Sequence, residues 1–322
     1  MSDKTIEQKM VKGPEKSASH IWWDGDLMPW ENATVQVTSV GWPALSAVFE
    51  GIRAYAGDTA GTSYIFRAQA HFERFWRSMR FMWIESQWSI EELTDACVAV
   101  LKANGFHEDA YLQPMAFSLG GSRGSQAMKS RPADIYISTR KAPSVLGKDE
   151  PEKACISSWT RIHDAVLPPR IKAVVNYQNS RLGASEAERG GYDSAIFLNE
   201  AGKVAEGGGS CLFLVRDGKV ITPPLSAGIL ESITRFSVIE LLRDALGVPV
   251  EERTVDRSEL YFADEMFFCG TMHELSPVGE VDGYTIGSGR MGEITKRLHT
   301  LFEDVVRGRV DRYRHWLTPV TK

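Results

Sequence analysis

The chain has 322 residues, of which 43% are hydrophobic and 25% charged, an ordinary composition for a folded globular protein. The formal net charge is −5 and no long basic run is present, which argues against nucleic acid as a partner. The first twenty residues are polar and no apolar run reaches the length of a membrane span, so we predict a flexible tail over residues 1–20 and a cytoplasmic protein away from membranes.

The four cysteines show no metal-binding spacing. They are Cys97, Cys155, Cys211 and Cys269, with no CxxC pair and no cluster of cysteine and histidine at zinc spacing. We therefore expect reduced, buried thiols and no metal site.

The first half of the chain predicts strands followed by two helices. A turn at Asp24-Gly25 separates two short strands, and further strands lead into a helix containing "HFERF". Spacing places Phe72, Trp76, Met79 and Trp83 on one face of that helix, which we expect to be buried.

A second helix has clear end signals. Ser89 and Glu92 fit a capping box, and Gly105 stands where a C-terminal cap is expected. Strands are predicted next at "AYLQPMAF" and "ADIYIST".

The region 141–150, rich in proline and charge, predicts a linker, after which the pattern starts again. Beyond it we predict further strands, two hairpins with turns at Gly202 and Asp217-Gly218, a helix over Ile233–Leu246, and a last helix near 292–307. The sequence thus predicts an α/β (α+β) protein with a small domain over 21–140 and a large domain over 151–322.

Lys172 is the first candidate for chemistry, because it stands in the apolar stretch "IKAVVNY". Burial disfavours the charged form of a lysine and makes its amine a nucleophile toward carbonyl groups, including that of pyridoxal phosphate. The alternative is a surface lysine beside a strand.

Three other segments offer partners for such a cofactor. Glu206 precedes three glycines, which allow a flat ligand to approach the backbone. Ser232 and Thr234 open an apolar helix whose free N–H groups suit a phosphate, and "CGT" at 269–271 provides another turn.

Together these segments carry a resemblance to a known family. The ordered set "VFEGIRAY", "HFERF", "SSWTR", "KAVVNYQNS", "VAEGGGSCLF", "ITR" and "CGTMHELSPV" closely resembles the fold-type IV pyridoxal phosphate enzymes, which have the D-amino acid aminotransferase-like fold. Within them it looks most like the branched-chain aminotransferases. The resemblance runs from about Ile21 to Leu317, nearly the whole chain.

The resemblance implies a role for each matching position. Lys172 would hold pyridoxal phosphate as an internal aldimine, Tyr177 would bind its O3′ atom, and Glu206 would pair with its ring nitrogen. Its phosphate and ring would be held by Arg74, Leu230, Ile233, Thr234 and Thr271. Tyr111 would line the substrate pocket, and the Thr271-Met272 turn would receive the substrate carboxylate. Family members are dimers or larger, so a homodimer is expected.

The chain departs from the family pattern around the substrate. Ala44 replaces an aromatic residue, and Gln113 stands where bacterial branched-chain enzymes carry an arginine for a second carboxylate. We therefore expect weaker use of 2-oxoglutarate unless Arg123, in a glycine-rich loop, supplies the charge. Met272 adds bulk at the carboxylate end.

The predicted function is transamination between a hydrophobic, branched-chain-like amino acid and a 2-oxo acid. An (R)-selective amine or D-amino acid transaminase is an alternative, as is a lyase of the aminodeoxychorismate type. A non-catalytic binding protein on the same scaffold is disfavoured because Lys172, Tyr177 and Glu206 are all present.

Overall fold

The structure, a computed structural model, describes residues 18–35, 45–118 and 131–321. It is built from two large β-sheets with helices packed against them, and it confirms the predicted α/β class. Within the described residues, no helix is both long enough and apolar enough to cross a membrane.

The first sheet is antiparallel and has eight strands. They are β1 (His20–Trp23), β2 (Asp26–Pro29), β3 (Val48–Phe49), β4 (Ile52–Ala56), β5 (Ser63–Phe66), β7 (Ala110–Phe117), β9 (Asp134–Lys141) and β19 (Leu317–Val320). Their order is β19-β5-β4-β7-β9-β1-β2, with β3 on β7. The two short strands β6 (Ile84–Glu85) and β8 (Arg131–Pro132) pair separately.

Strand β19 joins this sheet from far along the sequence, by pairing with β5. The residues 21–140 that we assigned to a small domain therefore share their sheet with residues 317–320. The division of the chain into two domains stays a prediction.

Helices α1 (Ala68–Phe81) and α2 (Ile90–Ala103) pack against this sheet and against each other. The capping box of α2 is confirmed, with Ser89 and Glu92 each bonded to the other's backbone N–H. Gly105 follows the helix with a φ of +64° and caps it as predicted.

The predicted apolar face of α1 is wrong in two positions. Trp76 and Trp83 are 43% and 53% exposed, whereas Phe72 and Met79 are buried. The buried stripe is centred on Phe75, and Trp83 lies beyond the helix end with a φ of +58°. Helical spacing assigns an aromatic residue at the boundary of a helix face to the apolar side, but whether its side chain is buried depends on what packs against it.

The second sheet is mixed and has nine strands. They are β10 (Glu152–Thr160), β11 (Ser194–Leu198), β12 (Val204–Gly207), β13 (Cys211–Arg216), β14 (Lys219–Thr222), β15 (Val250–Glu252), β16 (Glu265–Gly270), β17 (Glu274–Val281) and β18 (Tyr284–Thr285). Their order is β12-β11-β10-β17-β16-β13-β14-β15, with β18 on β17. The predicted hairpin turns at Gly202 and Asp217-Gly218 connect β11 to β12 and β13 to β14.

Three helices accompany this sheet: α3 (Tyr177–Gly190), α4 (Ile233–Glu240) and α5 (Glu293–Val306). Helix α3 packs on β10 and β11, while α4 and α5 contact β16. The predicted helix over Ile233–Leu246 is regular only to Glu240 and then continues as a wider π-helical turn over Leu241–Ala245.

The segment between β9 and β10, residues 142–151, forms neither helix nor strand. The buried Glu274 carboxylate anchors it by accepting bonds from Ser144 Oγ at 2.9 Å and Val145 N–H at 2.6 Å. Glu274 itself follows the turn after β16, so this carboxylate ties the connecting segment to the second sheet.

Candidate active site

One cavity of about 190 Å³ collects most of the candidate residues. Its wall takes residues from both sheets and from the connections between them. From the first sheet and α1 come Phe49, Gly51, Arg74 and Tyr111; from the rest of the chain come Arg161, Lys172, Asn176, Tyr177, Glu206, Gly208, Gly209, Leu230, Ser232, Gly270, Thr271, Met272 and others. A concave site with a few converging polar groups is typical of a ligand-binding pocket.

Lys172 lies in the loop between β10 and α3, and its backbone is held by one bond to helix α1 and one to strand β3 of the first sheet. Its N–H donates to Ser78 Oγ at 3.2 Å, and its C=O accepts from Phe49 N–H at 3.0 Å. The Asn176 side chain closes the same loop by donating to the carbonyls of Pro168 and Ile171. The loop therefore holds the lysine at one place although it belongs to no helix or strand.

The Lys172 side chain is half-buried, and its amine meets a hydroxyl. Nζ donates to Tyr177 Oη at 2.6 Å, at the start of α3. It also lies 4.6 Å from the centre of the Phe49 ring and 4.9 Å from that of Tyr177. The five-residue spacing thus places one nucleophile beside one hydroxyl, both on the cavity wall.

Glu206, in β12, provides a buried carboxylate on the same wall. Its side chain is 5% exposed, Oε1 lies 2.6 Å from Arg161 Nη2, and Oε2 accepts from Leu230 N–H at 3.2 Å. Burial raises the pKa of Glu206 above its usual value, and the Arg161 charge opposes that rise. Arg161 therefore favours the ionised carboxylate, the form that can hold a proton on a ring nitrogen.

Arg74, in α1, is held by a buried acid. Its Nε and Nη2 donate to the two Glu50 oxygens at 2.7 and 2.8 Å, and Nη1 donates to the Glu231 carbonyl. His71 Nδ1 lies 2.7 Å from Glu50 Oε2. Burial alone would raise the pKa of Glu50, but the Arg74 charge and the hydrogen bonds outweigh it and hold that pKa well below its usual value.

The start of α4 faces the cavity through Ser232. Ser232 Oγ accepts from Arg235 N–H at 3.2 Å, while the N–H groups of Ile233 and Thr234, in the first turn, have no acceptor within the helix. Arg74 contacts the neighbouring Glu231 carbonyl, so a guanidinium and a helix N-terminus lie at one end of the cavity. This combination suits a phosphate.

Glycines keep two parts of the wall clear. A Cβ atom added at Gly51 would lie 2.1 Å from Tyr111 Oη, so only glycine leaves room for that hydroxyl. A Cβ at Gly270 would lie 3.2 Å from the Gly209 carbonyl, because the turn after β16 packs closely on the glycine-rich turn after β12.

The predicted site residues are placed as follows. Arg74, Tyr111, Lys172, Tyr177, Glu206, Leu230, Thr271 and Met272 all line the cavity. Ile233 and Thr234 are buried at the start of α4, behind Ser232. Gln113 lies instead on a second cavity that shares Tyr111 with the first. Ala44 and Arg123 lie outside the described residues.

Three site residues were not recognised from the sequence. Arg161 was noticed only as part of "SSWTR", and Glu50 and His71 only inside "VFEG" and "HFERF". Glu50 is an acid in the otherwise apolar stretch "AVFEGI", and that was an available signal, whereas Arg161 and His71 stand among polar residues and gave none.

The donors around the cavity fit pyridoxal phosphate. An amine, an acid paired with arginine, and an arginine beside a helix N-terminus match its aldehyde, ring nitrogen and phosphate. The open side of Gly209, where a Cβ would meet nothing within 4 Å, leaves space beside the wall.

Comparison with known proteins agrees with this chemistry. The family model described as "Amino-transferase class IV" matches residues 47–281. A probable branched-chain-amino-acid aminotransferase of Aquifex aeolicus is 39% identical over 94% of this chain and 97% of its own length.

Two solved structures are also similar. The branched-chain amino acid aminotransferase of Thermobaculum terrenum in its PLP form superposes with a TM-score of 0.92, at 46% identity, covering 96% of this chain and 100% of that one. The branched-chain aminotransferase of the thermophilic archaeon Thermoproteus uzoniensis, solved with norvaline, gives a TM-score of 0.88 at 40% identity, covering 94% of this chain and 99% of that one.

Proposed function

The chain belongs to the class IV aminotransferase family, and we propose that it transfers the amino group of a branched-chain or similar hydrophobic L-amino acid to a 2-oxo acid. It is an enzyme, a pyridoxal-phosphate-dependent transaminase. The names of its relatives support the branched-chain substrate, since they are branched-chain aminotransferases that align over nearly their whole length.

The observation that carries the proposal is the arrangement around one cavity of Lys172 with Tyr177 and of Glu206 with Arg161. Bound pyridoxal phosphate supplies an electron sink for the charge that develops when the substrate Cα loses its proton. A nucleophilic amine and an acid held ionised by arginine are the two protein groups that this chemistry requires.

Each residue then has a defined task. Lys172 Nζ would hold the cofactor covalently and would move the proton at the substrate Cα. Tyr177 Oη, 2.6 Å from Nζ, orients that amine. Glu206 would hold a proton on the ring nitrogen, because the Arg161 charge favours its ionised form.

The remaining residues position the ligands. Arg74, aligned by Glu50, and the first N–H groups of α4 would bind the phosphate. Leu230 would pack on the ring, and the Thr271-Met272 turn would offer backbone N–H groups to the substrate carboxylate. Tyr111 closes the substrate side, held in place by the space that Gly51 leaves.

A donor panel tests the reaction. We expect L-leucine to react with a 2-oxo acid much faster than D-alanine or (R)-1-phenylethylamine does. Faster reaction of D-alanine would indicate a D-amino acid transaminase, and faster reaction of (R)-1-phenylethylamine an (R)-selective amine transaminase. Elimination without amino transfer would indicate a lyase.

A substitution tests the lysine. Lys172→Ala should abolish turnover and the visible absorption of covalently bound cofactor, because the bond requires this amine. Lys102→Ala, an exposed lysine at the end of α2, should change neither. Retention of a covalent cofactor in Lys172→Ala, shown by mass spectrometry after reduction, would contradict the assignment.

A homodimer and a cytoplasmic location are also proposed. Met272 and Trp159 are 39% and 44% exposed, and large exposed apolar side chains are the kind of surface that a second copy of the chain would cover. Light scattering of the purified protein gives the mass, and a monomer at micromolar concentration would contradict the dimer.

The buried free thiols suit a reducing compartment such as the cytoplasm.

A further inference from the structure

Arg140 lies beside two residues of the cavity wall, and the proposed reaction assigns it no role. It is in β9, directly opposite Tyr111 of β7. Its guanidinium carbon lies 4.8 Å from the centre of the Tyr111 ring, and Nη2 lies 3.4 Å from Met272 Sδ. Tyr111 and Met272 both line the cavity that contains Lys172.

The guanidinium has few partners among the described residues. Among the described residues no carboxylate lies within 4.0 Å of it, and its contacts are an aromatic face and a thioether. An arginine carries five N–H donors, so most of those of Arg140 are not taken by any described residue and could serve an anion.

Arg140 faces a second cavity that adjoins the first. The two cavities share Tyr111, and the second is lined by aromatic, apolar and uncharged polar residues with Arg140 as its charged group among the described residues. Gln113 and Ser138 lie on this wall, on the strands that carry Tyr111 and Arg140. Because Tyr111 belongs to both walls, a ligand in the first cavity that extends past Tyr111 enters the second.

We propose that Arg140 binds the distal carboxylate of a dicarboxylic substrate, such as 2-oxoglutarate or glutamate. The role rests on the proposed transamination and identifies one of its two substrates. The carboxylate beside the reacting carbon stays in the first cavity, where Arg140 is not part of the wall. A carboxylate two methylene groups further away can pass Tyr111 and take two parallel bonds from the guanidinium.

The test compares two acceptors that differ only at the far end. 2-Oxoglutarate and 2-oxopentanoate have the same chain length, with a carboxylate and a methyl group respectively. With L-leucine as donor, Arg140→Gln should raise the KM for 2-oxoglutarate about tenfold and that for 2-oxopentanoate less than about twofold, because a charge-assisted bond is lost at a partly exposed site. Arg140→Lys should lie between, since lysine keeps the charge without the paired donors.

A binding measurement gives the same information without turnover. Glutarate and pentanoate do not react, and calorimetry on the cofactor-loaded enzyme reports their affinities. We expect Arg140→Gln to lower the affinity for glutarate about tenfold and to leave the affinity for pentanoate unchanged. If wild-type enzyme turns over L-leucine with neither acceptor, the proposed function fails, while the glutarate measurement still decides the role of Arg140.

Three results would overturn the assignment. An equal rise in KM for both acceptors would indicate that Arg140 binds the carboxylate beside the reacting carbon. An unchanged KM for 2-oxoglutarate in Arg140→Gln would show that Arg140 does not bind the substrate. Loss of glutarate binding in Arg123→Ala, with Arg140→Gln unaffected, would assign the distal carboxylate to Arg123 instead.

Discussion

Substitution of Glu50 by glutamine gives the sharpest test of how the cavity is held together. Glu50 is fully buried and takes three short contacts, two from Arg74 and one from His71. Glutamine keeps the shape and one acceptor oxygen but leaves the Arg74 charge, 3% exposed, without its counterion. Breaking one side of a buried ion pair costs about 3–5 kcal/mol, and we expect the lower end, about 3 kcal/mol.

The expected loss is measurable as a shift of the melting temperature. With an unfolding entropy of about 2.1 cal/mol/K per residue, 3 kcal/mol lowers the melting temperature of a 322-residue chain by about 4 °C. Circular dichroism melts of cofactor-free protein at pH 7 provide the value. Glu73→Gln, an exposed acid on the same helix, is the matched control and should shift the midpoint by less than about 1 °C.

The effect should also depend on pH in a defined direction. The pKa of Glu50 is depressed in the folded state, so its carboxylate contributes stability that is complete above its usual pKa of 4.5 and is lost as the pH falls toward the folded-state value. The difference between wild type and Glu50→Gln should therefore be largest at pH 7 and shrink below about pH 4.5. A variant as stable as wild type at pH 7, or a difference that grows in acid, would refute this account of the cluster.

Two further substitutions test the cofactor and substrate walls. Arg161→Gln should raise the pKa of the buried Glu206 further, because it removes the charge that favours the carboxylate. In the pH profile of kcat, the acidic limb should then move to higher pH by about one unit. Arg170 is an exposed arginine that pairs with Glu231, and Arg170→Gln should leave that limb unchanged. Gly51→Ala should force the Tyr111 hydroxyl from its position and cost about 1–3 kcal/mol of stability in cofactor-free protein. Gly209→Ala, with open space around its Cβ, is the control for that loss, and equal melting points would contradict the steric argument.

Local signals in the sequence were sufficient for most secondary structure. The capping box at Ser89 and the glycine turns act between residues close in the chain, so their chemistry is visible before folding. The same holds for the order of motifs that indicated a pyridoxal phosphate transaminase, because each motif is a short, continuous stretch. Lys172 and Tyr177, five residues apart, are the clearest example.

Contacts between segments far apart in the chain could not be predicted from local sequence signals. The pairing of β19 with β5, the exposure of Trp76, and the bond between Arg161 and Glu206 each depend on which surfaces meet after folding. A charged residue in an apolar stretch has several possible partners, and the sequence gives no distance between them.

The sequence by itself determined the fold class, the cofactor and the residue types of the site. Only the tertiary structure decided that Glu50 aligns Arg74, that Arg161 pairs with Glu206, and that Arg140 stands over Tyr111 at the junction of two cavities. The physical reason is that charge interactions depend on distance and burial in three dimensions, whereas motifs and caps depend on spacing along the chain.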